Sequence, residues 1–468
     1  MRRNSLIILI SLVVASLMLG GCTSAPSSTT TASTQTTTTA TPTQTPTQTQ
    51  TPTQSPSITP TETTPPPAIT GLLANNAYDG KLNLWWDMSM AEDFDHYNVY
   101  INTAEITNVT GMQPVFQIKD IATCGYQATG LEDGTSYYLT ITAVDKSGNE
   151  DTHVSSVSAM PIQMTRGTID PDLAVDVYQS DMAWAGTTLL ADNHNTASPR
   201  IIEVNMLGEV VWQYMVPQNL GGVSDVELLP NNNILFSVRG GVYEIDRNGE
   251  VAWQYLTSKI SHDADRLANG NTIFVFGMND QKNDAQVTEV NPTGEIVWQW
   301  YAKDYFDTPP YNNIYNEGWI HTNAVSRLSN GNTLISLRNF NFVVEVDPEG
   351  AVIRTIGEGI CSHQHDPEVQ PNGNILFANH DNPQRAIELD ATTGSIVWEY
   401  TILNEKNWPV RDADRLPNGN TLITGTTEIV EVTPQGEVVW RFGLQGVTFS
   451  QQDIADLGFY KADRIGTQ

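Results

Sequence analysis

The chain has 468 residues and a formal net charge of −30, with 53 Asp and Glu against 23 Lys and Arg. Such an acidic balance excludes nucleic acid and anionic lipid surfaces as partners, because both require a basic footprint. Three cysteines scattered over this length exclude a disulfide framework, and the length itself is that of more than one domain.

Residues 1–22 combine Arg2 and Arg3, an apolar run from Leu6 to Leu19, and small residues before Cys22. That run is shorter than the roughly 20 residues a spanning helix needs, so it predicts a secretion signal. Leu19-Gly20-Gly21-Cys22 resembles a lipoprotein lipobox. The resemblance implies lipidation of Cys22 and an exported protein that meets the membrane only through its anchor, facing the exterior or the periplasm. Residues 23–66 are almost entirely Thr, Pro, Gln, Ser and Ala, which cannot bury a core and predict an extended stalk.

From residue 67 to 162 the pattern changes to short alternating runs at 81–86, 96–101, 115–118 and 137–144. Asp79-Gly80, Asp133-Gly134 and Ser147-Gly148-Asn149 supply turns between them, and the spacing predicts a β-sandwich. Trp86 after Leu82-x-Leu84, then Tyr97-x-Val99, then Leu131-Glu-Asp-Gly134-Thr-Ser-Tyr137 resemble the fibronectin type III pattern with its tyrosine corner. This implies a spacer, or an adhesion module contacting a surface glycan or protein.

Residues 167–468 repeat one pattern six times: Arg-Leu-x-Asn-Gly-Asn-Thr-Leu-Ile, then Val-Val-Glu-Val-Asp, then Gly-Glu-Val-Val-Trp. The last motif falls at 208–212, 249–253, 294–298, a degenerate 350–354, 394–398 and 436–440, so its copies begin 41 to 56 residues apart. That period is one four-stranded propeller blade, and Asn-Gly between β-rich runs marks the hairpin. The expected fold is therefore all-β, a six-bladed propeller preceded by the sandwich. Blade one lacks an inner strand of its own. Tyr460-Lys-Ala-Asp-Arg-Ile465 echoes Arg411-Asp-Ala-Asp-Arg-Leu416 without a blade of its own, so it is predicted to pair into blade one and close the ring.

Residues at one offset from the Asn-Gly turn should lie at one depth around the axis. Seven residues before the turn the column reads Ser224, His262, Asn323, His365 and Arg411, with His321 and His363 two residues further back. Eight residues after it come Asn193, Arg239, Gly277, Arg338, His380 and Thr426. Five of the eight histidines thus converge with three arginines on one mouth of the ring. Arginine forks and asparagine amides suit a tetrahedral oxyanion, and neutral imidazole can be a nucleophile or an acid–base group. No carboxylate or thiolate shares these columns and nearby arginines repel cations, so no metal is expected there. No nucleotide fingerprint or phosphate loop predicts a cofactor. Asp225, Asp263, Asp366 and Asp412 alternate to the other strand face and are expected to bind the neighbouring blade's backbone.

Three segments carry a family resemblance: His262-Asp263 before Arg-Leu-x-Asn-Gly-Asn, Ile320-His321-Thr322-Asn323 with Ser336-Leu-Arg338, and Gln364-His365 with Gly373-Asn374-Ile-Leu-Phe-Ala-Asn379. Together they resemble the bacterial arylsulfate sulfotransferases over roughly residues 170–442. The resemblance implies transfer of a sulfuryl group from an aryl sulfate to a phenol through a sulfohistidine, without a nucleotide. It makes His365 the nucleophile, has His321, Asn323 and Arg338 grip the sulfuryl oxygens, and gives His262 an acid–base or binding role. Arg239, Arg411, His363, His380, Asn193 and Thr426 complete the expected substrate pocket. Two other readings compete: a surface-adhesion propeller holding a sulfated or carboxylated ligand, and a quinoprotein dehydrogenase. The second is suggested by Asp390-Ala-Thr-Thr-Gly-Ser-Ile-Val-Trp398, but it calls for eight blades and an acidic axis, neither of which the repeat predicts.

Overall fold

The computed structural model describes residues 63–380, 383–402, 409–447 and 457–466. Cys22 and the expected signal and stalk lie outside the described residues. Among the described residues no helix is long and apolar enough to cross a membrane.

The N-terminal part is a sandwich of two antiparallel sheets. One is ordered Leu73–Asn76, Leu82–Trp85, Gly125–Ala128, and the other Phe116–Ile118, Phe94–Asn102, Tyr137–Asp145, Val157–Ala159. Alternation puts Leu82, Leu84, Tyr97, Val99, Leu139 and Ile141 between the sheets, where they surround Trp86. The Tyr137 hydroxyl accepts a hydrogen bond from Glu132 N at 3.0 Å, which ties the loop back onto its strand. Leu73–Asn76, Gly125–Ala128 and Val157–Ala159 were not expected, because three or four residues are too few to show a period of two.

The rest of the chain forms six sheets of four antiparallel strands, each paired in sequence order from inner to outer edge. The exception is blade one, whose inner strand Phe459–Ile465 pairs with Thr187–Asp192, as the C-terminal echo predicted. A second strand, Leu173–Tyr178, adds to the outer edge of blade six beside Val438–Leu444, so both ends of this region close the ring. That fifth strand was not expected, because it lies outside the repeat.

The recurring letters lock each blade to the next. Trp212, Trp253, Trp398 and Trp440 donate from Nε1 to backbone carbonyls of Arg247, Pro292, Pro434 and Met206 on the following blade. Where blade four carries Arg354 instead, its Nη1 donates to Ala391 O. The recurring Arg and Glu complete the lock: Arg266, Arg327, Arg415 and Arg464 each lie over the previous blade's Trp while pairing with its Glu244, Glu289, Glu388 or Glu431. Stacking on indole while pairing with carboxylate is what a planar guanidinium does and an ammonium does not. Phe459 is fully buried against Phe442 at 5.4 Å between ring centroids, which alone contributes on the order of 1.5–3 kcal/mol to closure.

The sandwich docks on the end of the propeller that carries the Asn-Gly turns. Asn83 Nδ2 donates to Ala185 O at 2.8 Å, Gln127 bonds Ala183 O and Ala185 N, and Trp85 meets Trp184 edge-on at 5.4 Å. Gly125 lies so close to Pro417 that a Cβ there would fall 2.2 Å from the proline ring. The histidine columns open at the opposite end, so the sandwich takes no part in the pocket.

Candidate active site

Each inner strand begins at the open mouth, and five of the six break register there. The shifts fall at Val223/Asp225, Thr322/Val325, His365/Glu368, Val410/Asp412 and Phe459/Ala462. A bulge spends one residue without ladder pairing and re-aims its side chain. The backbone confirms the distortion: His262, His321, His363 and Asp366 hold φ of 70°, 53°, 44° and 46°, a region costly for residues with a Cβ. Three site histidines therefore reach the pocket from left-handed backbone rather than by simple strand alternation.

The structure gathers His262, His321, His365 and His380 into one group. His262 Nε2 lies 2.9 Å from His321 Nε2, and the two rings stack. The His365 ring meets that of His262 edge-on at 6.1 Å and stacks on His380 at 4.6 Å. His380 Nε2 donates to Val410 O, which fixes its tautomer and turns its ring onto His365. Tyr460 was absent from the expected set, yet its hydroxyl hydrogen-bonds His262 Nδ1. One assignment of hydrogens satisfies the row: Tyr460 O–H donates to His262 Nδ1, His262 Nε2–H to His321 Nε2, and His321 Nδ1–H to Asn316 O at 3.2 Å.

Cations surround this row. Arg338, in a short 3₁₀ turn, has Nη1 3.5 Å from His321 Nδ1 and donates to Asn339 Oδ1. Arg411 is buried, donates to Phe459 O at 2.8 Å and lies 4.4 Å over the Tyr460 ring. Burial first, then the charges of neighbouring histidines, Arg338 and Arg411, hold His365 and His262 well below the usual imidazole range. Burial and the Arg338 charge bring His321 to about 3, and burial brings His380 to about 3. All four are neutral near pH 7, the form in which an imidazole nitrogen has a lone pair to give.

The remaining expected residues divide. Asn323 donates to Gln364 O at 3.0 Å and keeps a buried Oδ1 without a partner, beside His262, His365 and Arg411 in a small axial recess. His363 sits near the rim, where burial and then Arg338 lower its pKa. Arg239 reaches the wall of a larger cavity and donates to Met278 Sδ. Asn193 spends its amide on the Val223 backbone in both directions, at 2.8 and 2.9 Å, and so supports that wall rather than offering a free group. Thr426 is the correction: it is fully buried and its hydroxyl donates to Pro409 O, so it offers the pocket nothing. Offset from the turn gives depth, but in blade six the strand end is covered by the chain that leads to Phe459, whose amide bonds Thr426 O.

The larger cavity has a volume of about 860 Å³ and ends on His262 and Tyr460. Ile260, Phe276 and Met278 line one side, and Ser224, Ser261 and Arg239 supply polar groups. A mostly apolar cleft with a few convergent polar groups suits an aromatic ligand of modest size.

A second correction concerns the axis, which is acidic. On the inner strands, or one residue before the strand in the case of Asp263, Asp225 and Glu227, Asp263 and Asp265, Asp366 and Glu368, and Asp412 and Asp414 stand two residues apart, with Lys461 and Asp463 in blade one. Asp225 and Asp263 do bind the next blade's backbone, through Ala264 N and Val325 N. Asp366 and Asp412 instead face inward. Burial pushes Asp225 and Glu227 up to about 7, and Asp263, Asp412 and Asp414 well above the carboxylate range. Asp366 alone is held low: burial raises it, but the charge and hydrogen bond of the Lys461 ammonium 3.0 Å away, together with a hydrogen bond shared with Asp412, lower it by more.

Six antiparallel sheets around an axis, with histidines and arginines converging at one mouth, define a β-propeller with a polar pocket at that mouth. Two family models, both described as arylsulfotransferase (ASST), match residues 174–360 and 272–450. The chain belongs to the arylsulfotransferase family. No curated protein sequence matches it. Solved structures are similar at low identity. A Bacteroides caccae protein of unknown function is 20% identical with a TM-score of 0.42, covering 57% of this chain and 96% of that one. Staphylococcus aureus virginiamycin B lyase is 11% identical at 0.39, covering 57% and 86%. A Xanthomonas campestris gluconolactonase is 9% identical at 0.40, covering 62% and 92%.

Proposed function

We propose that the mouth of the propeller transfers a sulfuryl group from an aryl sulfate to a phenol by way of a sulfohistidine on His365. The observation that carries this is a buried, neutral His365 held between His380 and the Tyr460–His262–His321 row, with Arg338 and Arg411 beside it. A ring nitrogen of His365 forms the S–N bond as the ester S–O bond breaks. Tyr460 and His262 supply a proton to the departing phenolate. In the second half the acceptor phenol returns that proton to the row, its oxygen attacks sulfur, and the S–N bond breaks. Charge that develops on the sulfuryl oxygens is met by Arg338, Arg411 and an amide hydrogen of Asn323, donors already in place before reaction. The apolar cavity ending on Tyr460 holds the aryl groups in turn, which gives ping-pong kinetics.

Intact-mass and peptide mass spectrometry after incubation with 4-nitrophenyl sulfate and no acceptor tests this. A sulfuryl adduct on the His365 peptide that disappears on adding phenol is expected. Release of 4-nitrophenol without an adduct would overturn the sulfohistidine route, and no release at all would favour a binding propeller instead.

The lipobox ending at Cys22 supports an exported protein anchored by lipid, with the Thr- and Pro-rich stalk and a fibronectin-type sandwich as spacers that hold the pocket away from the membrane. The sandwich's position at the far end of the ring suits that role. Metabolic labelling with a fatty acid in wild type but not in Cys22→Ser tests the anchor.

A further inference from the structure

The acids on the axis are answered by one ammonium, and it reaches only some of them. Lys461 Nζ lies 3.0 Å from Asp366 Oδ2, 3.5 Å from Asp225 Oδ1 and 3.9 Å from Asp263 Oδ1. Asp225 and Asp263 each also accept a backbone N–H. Asp412 has neither. It is 1% exposed, and neither of its carboxylate oxygens meets a donor, since the Asp366 carboxylate that faces it is an acceptor too; nor does Oδ2 of Asp414 meet one. A buried carboxylate with nothing to accept from costs several kcal/mol, and such groups are paired, or coordinate metals.

The surroundings of Asp412 point to the second solution. One carboxylate oxygen from each of Asp366, Asp412 and Asp414 lies within 4.8 Å of the other two. An ion that binds oxygen at about 2.3–2.6 Å, as calcium does, spans at most about 4.6–5.2 Å between its ligand oxygens, so three oxygens within 4.8 Å of one another fit around one such ion. Asp412 and Asp414 come from the inner strand of blade six and Asp366 from that of blade five, so an ion here would bridge two neighbouring blades.

We propose that Asp366, Asp412 and Asp414 bind one divalent cation of calcium size on the propeller axis, next to the histidine recess that Asp366 also lines. The ion fixes the bulge at His365, because Asp366 is the next residue and holds left-handed backbone. Lys461 pairs with Asp225 and Asp263, which lie outside the proposed ligand set, as well as with Asp366.

The test is a calcium titration of chelator-treated, full-length protein at pH 7.5 and 0.15 M NaCl, followed by calorimetry, metal content and melting temperature. Saturable uptake of one calcium per chain with a rise in melting temperature is expected, with magnesium at least about tenfold weaker. Asp412→Asn and Asp414→Asn should each lose the uptake and the rise while retaining the wild-type circular dichroism spectrum. Should Asp412→Asn not fold, Asp414→Asn carries the comparison. Absence of stoichiometric uptake, or uptake by folded Asn variants equal to wild type, overturns the proposal. So does a wild type free of metal that Asp412→Asn merely stabilises, which would mean a shared proton.

Discussion

The hydroxyl of Tyr460 bonds Nδ1 of His262 although 198 residues separate them in the chain. The last inner strand therefore brings the pocket a phenol as well as closing the ring. If that hydroxyl protonates the leaving phenolate through the row, Tyr460→Phe keeps the ring under Arg411 and removes only the proton. The loss in kcat should then be about 10²- to 10⁴-fold for poor leaving groups, the usual reach of general acid catalysis, and small for 4-nitrophenyl sulfate. A loss equal for both donors would mean that Tyr460 only positions His262.

His365→Ala should remove transfer and adduct together, with the melting temperature little changed. Arg338→Lys keeps the charge but loses the planar fork, and a drop of about 10²-fold in kcat with little change in KM is expected of a donor that acts in the transition state. Steady-state rates for both variants with a shared donor provide the check.

Much of this was legible beforehand because repeats are structural equivalents. Offset from the Asn-Gly turn pointed to His262, His365 and Arg411, which line one recess, and the echo at residues 460–465 foretold the strand that pairs with Thr187–Asp192. Where offset failed, local backbone was the cause. Thr426 lies at the right offset but is covered by the segment leading to Phe459. The left-handed φ of His262, His321 and His363 leaves no mark in residue type, since nothing in the sequence replaces His by Gly there. Tyr460 was in view as a strand residue; its role needed the fold, because its partner lies on blade three. The acidic axis was visible as an Asp column, but strand alternation alone does not distinguish facing a neighbouring blade from facing the centre.

The pocket histidines predict a pH dependence. Their folded pKa values lie below the unfolded 6.5, so the unfolded chain binds protons that the native state refuses. Their contribution is complete above about pH 6.5 and is lost as pH falls from there toward 3, at up to about 1.4 kcal/mol per pH unit for each histidine. Urea unfolding at pH 7 and pH 5 should show that loss, and His380→Gln should reduce it. The rate, by contrast, should show no acid limb near pH 6.5, because His365 is already neutral below it.

The inter-blade arginines differ from surface ones in what they are worth. Arg464 and Glu431 are both fully buried, and the Arg lies over Trp440. Arg464→Ala leaves Glu431 unpaired in the interior and should cost about 3–5 kcal/mol. Arg441, paired with Asp176 at the surface, should cost no more than about 1 kcal/mol when replaced by Ala. Equal losses in urea unfolding would contradict the role given to the lock between blades six and one.

Phe459–Ile465 follows every other propeller strand in the sequence. A chain made from the N-terminus presents five inner strands before Tyr460, Lys461 and Arg464 have been joined to it. Until they arrive, His262 lacks its hydroxyl, Asp366 its ammonium and blade six its buried partner. Catalytic competence and ring closure are thus acquired in one event, the last of assembly, and a chain cut short before that strand should be inert as well as open.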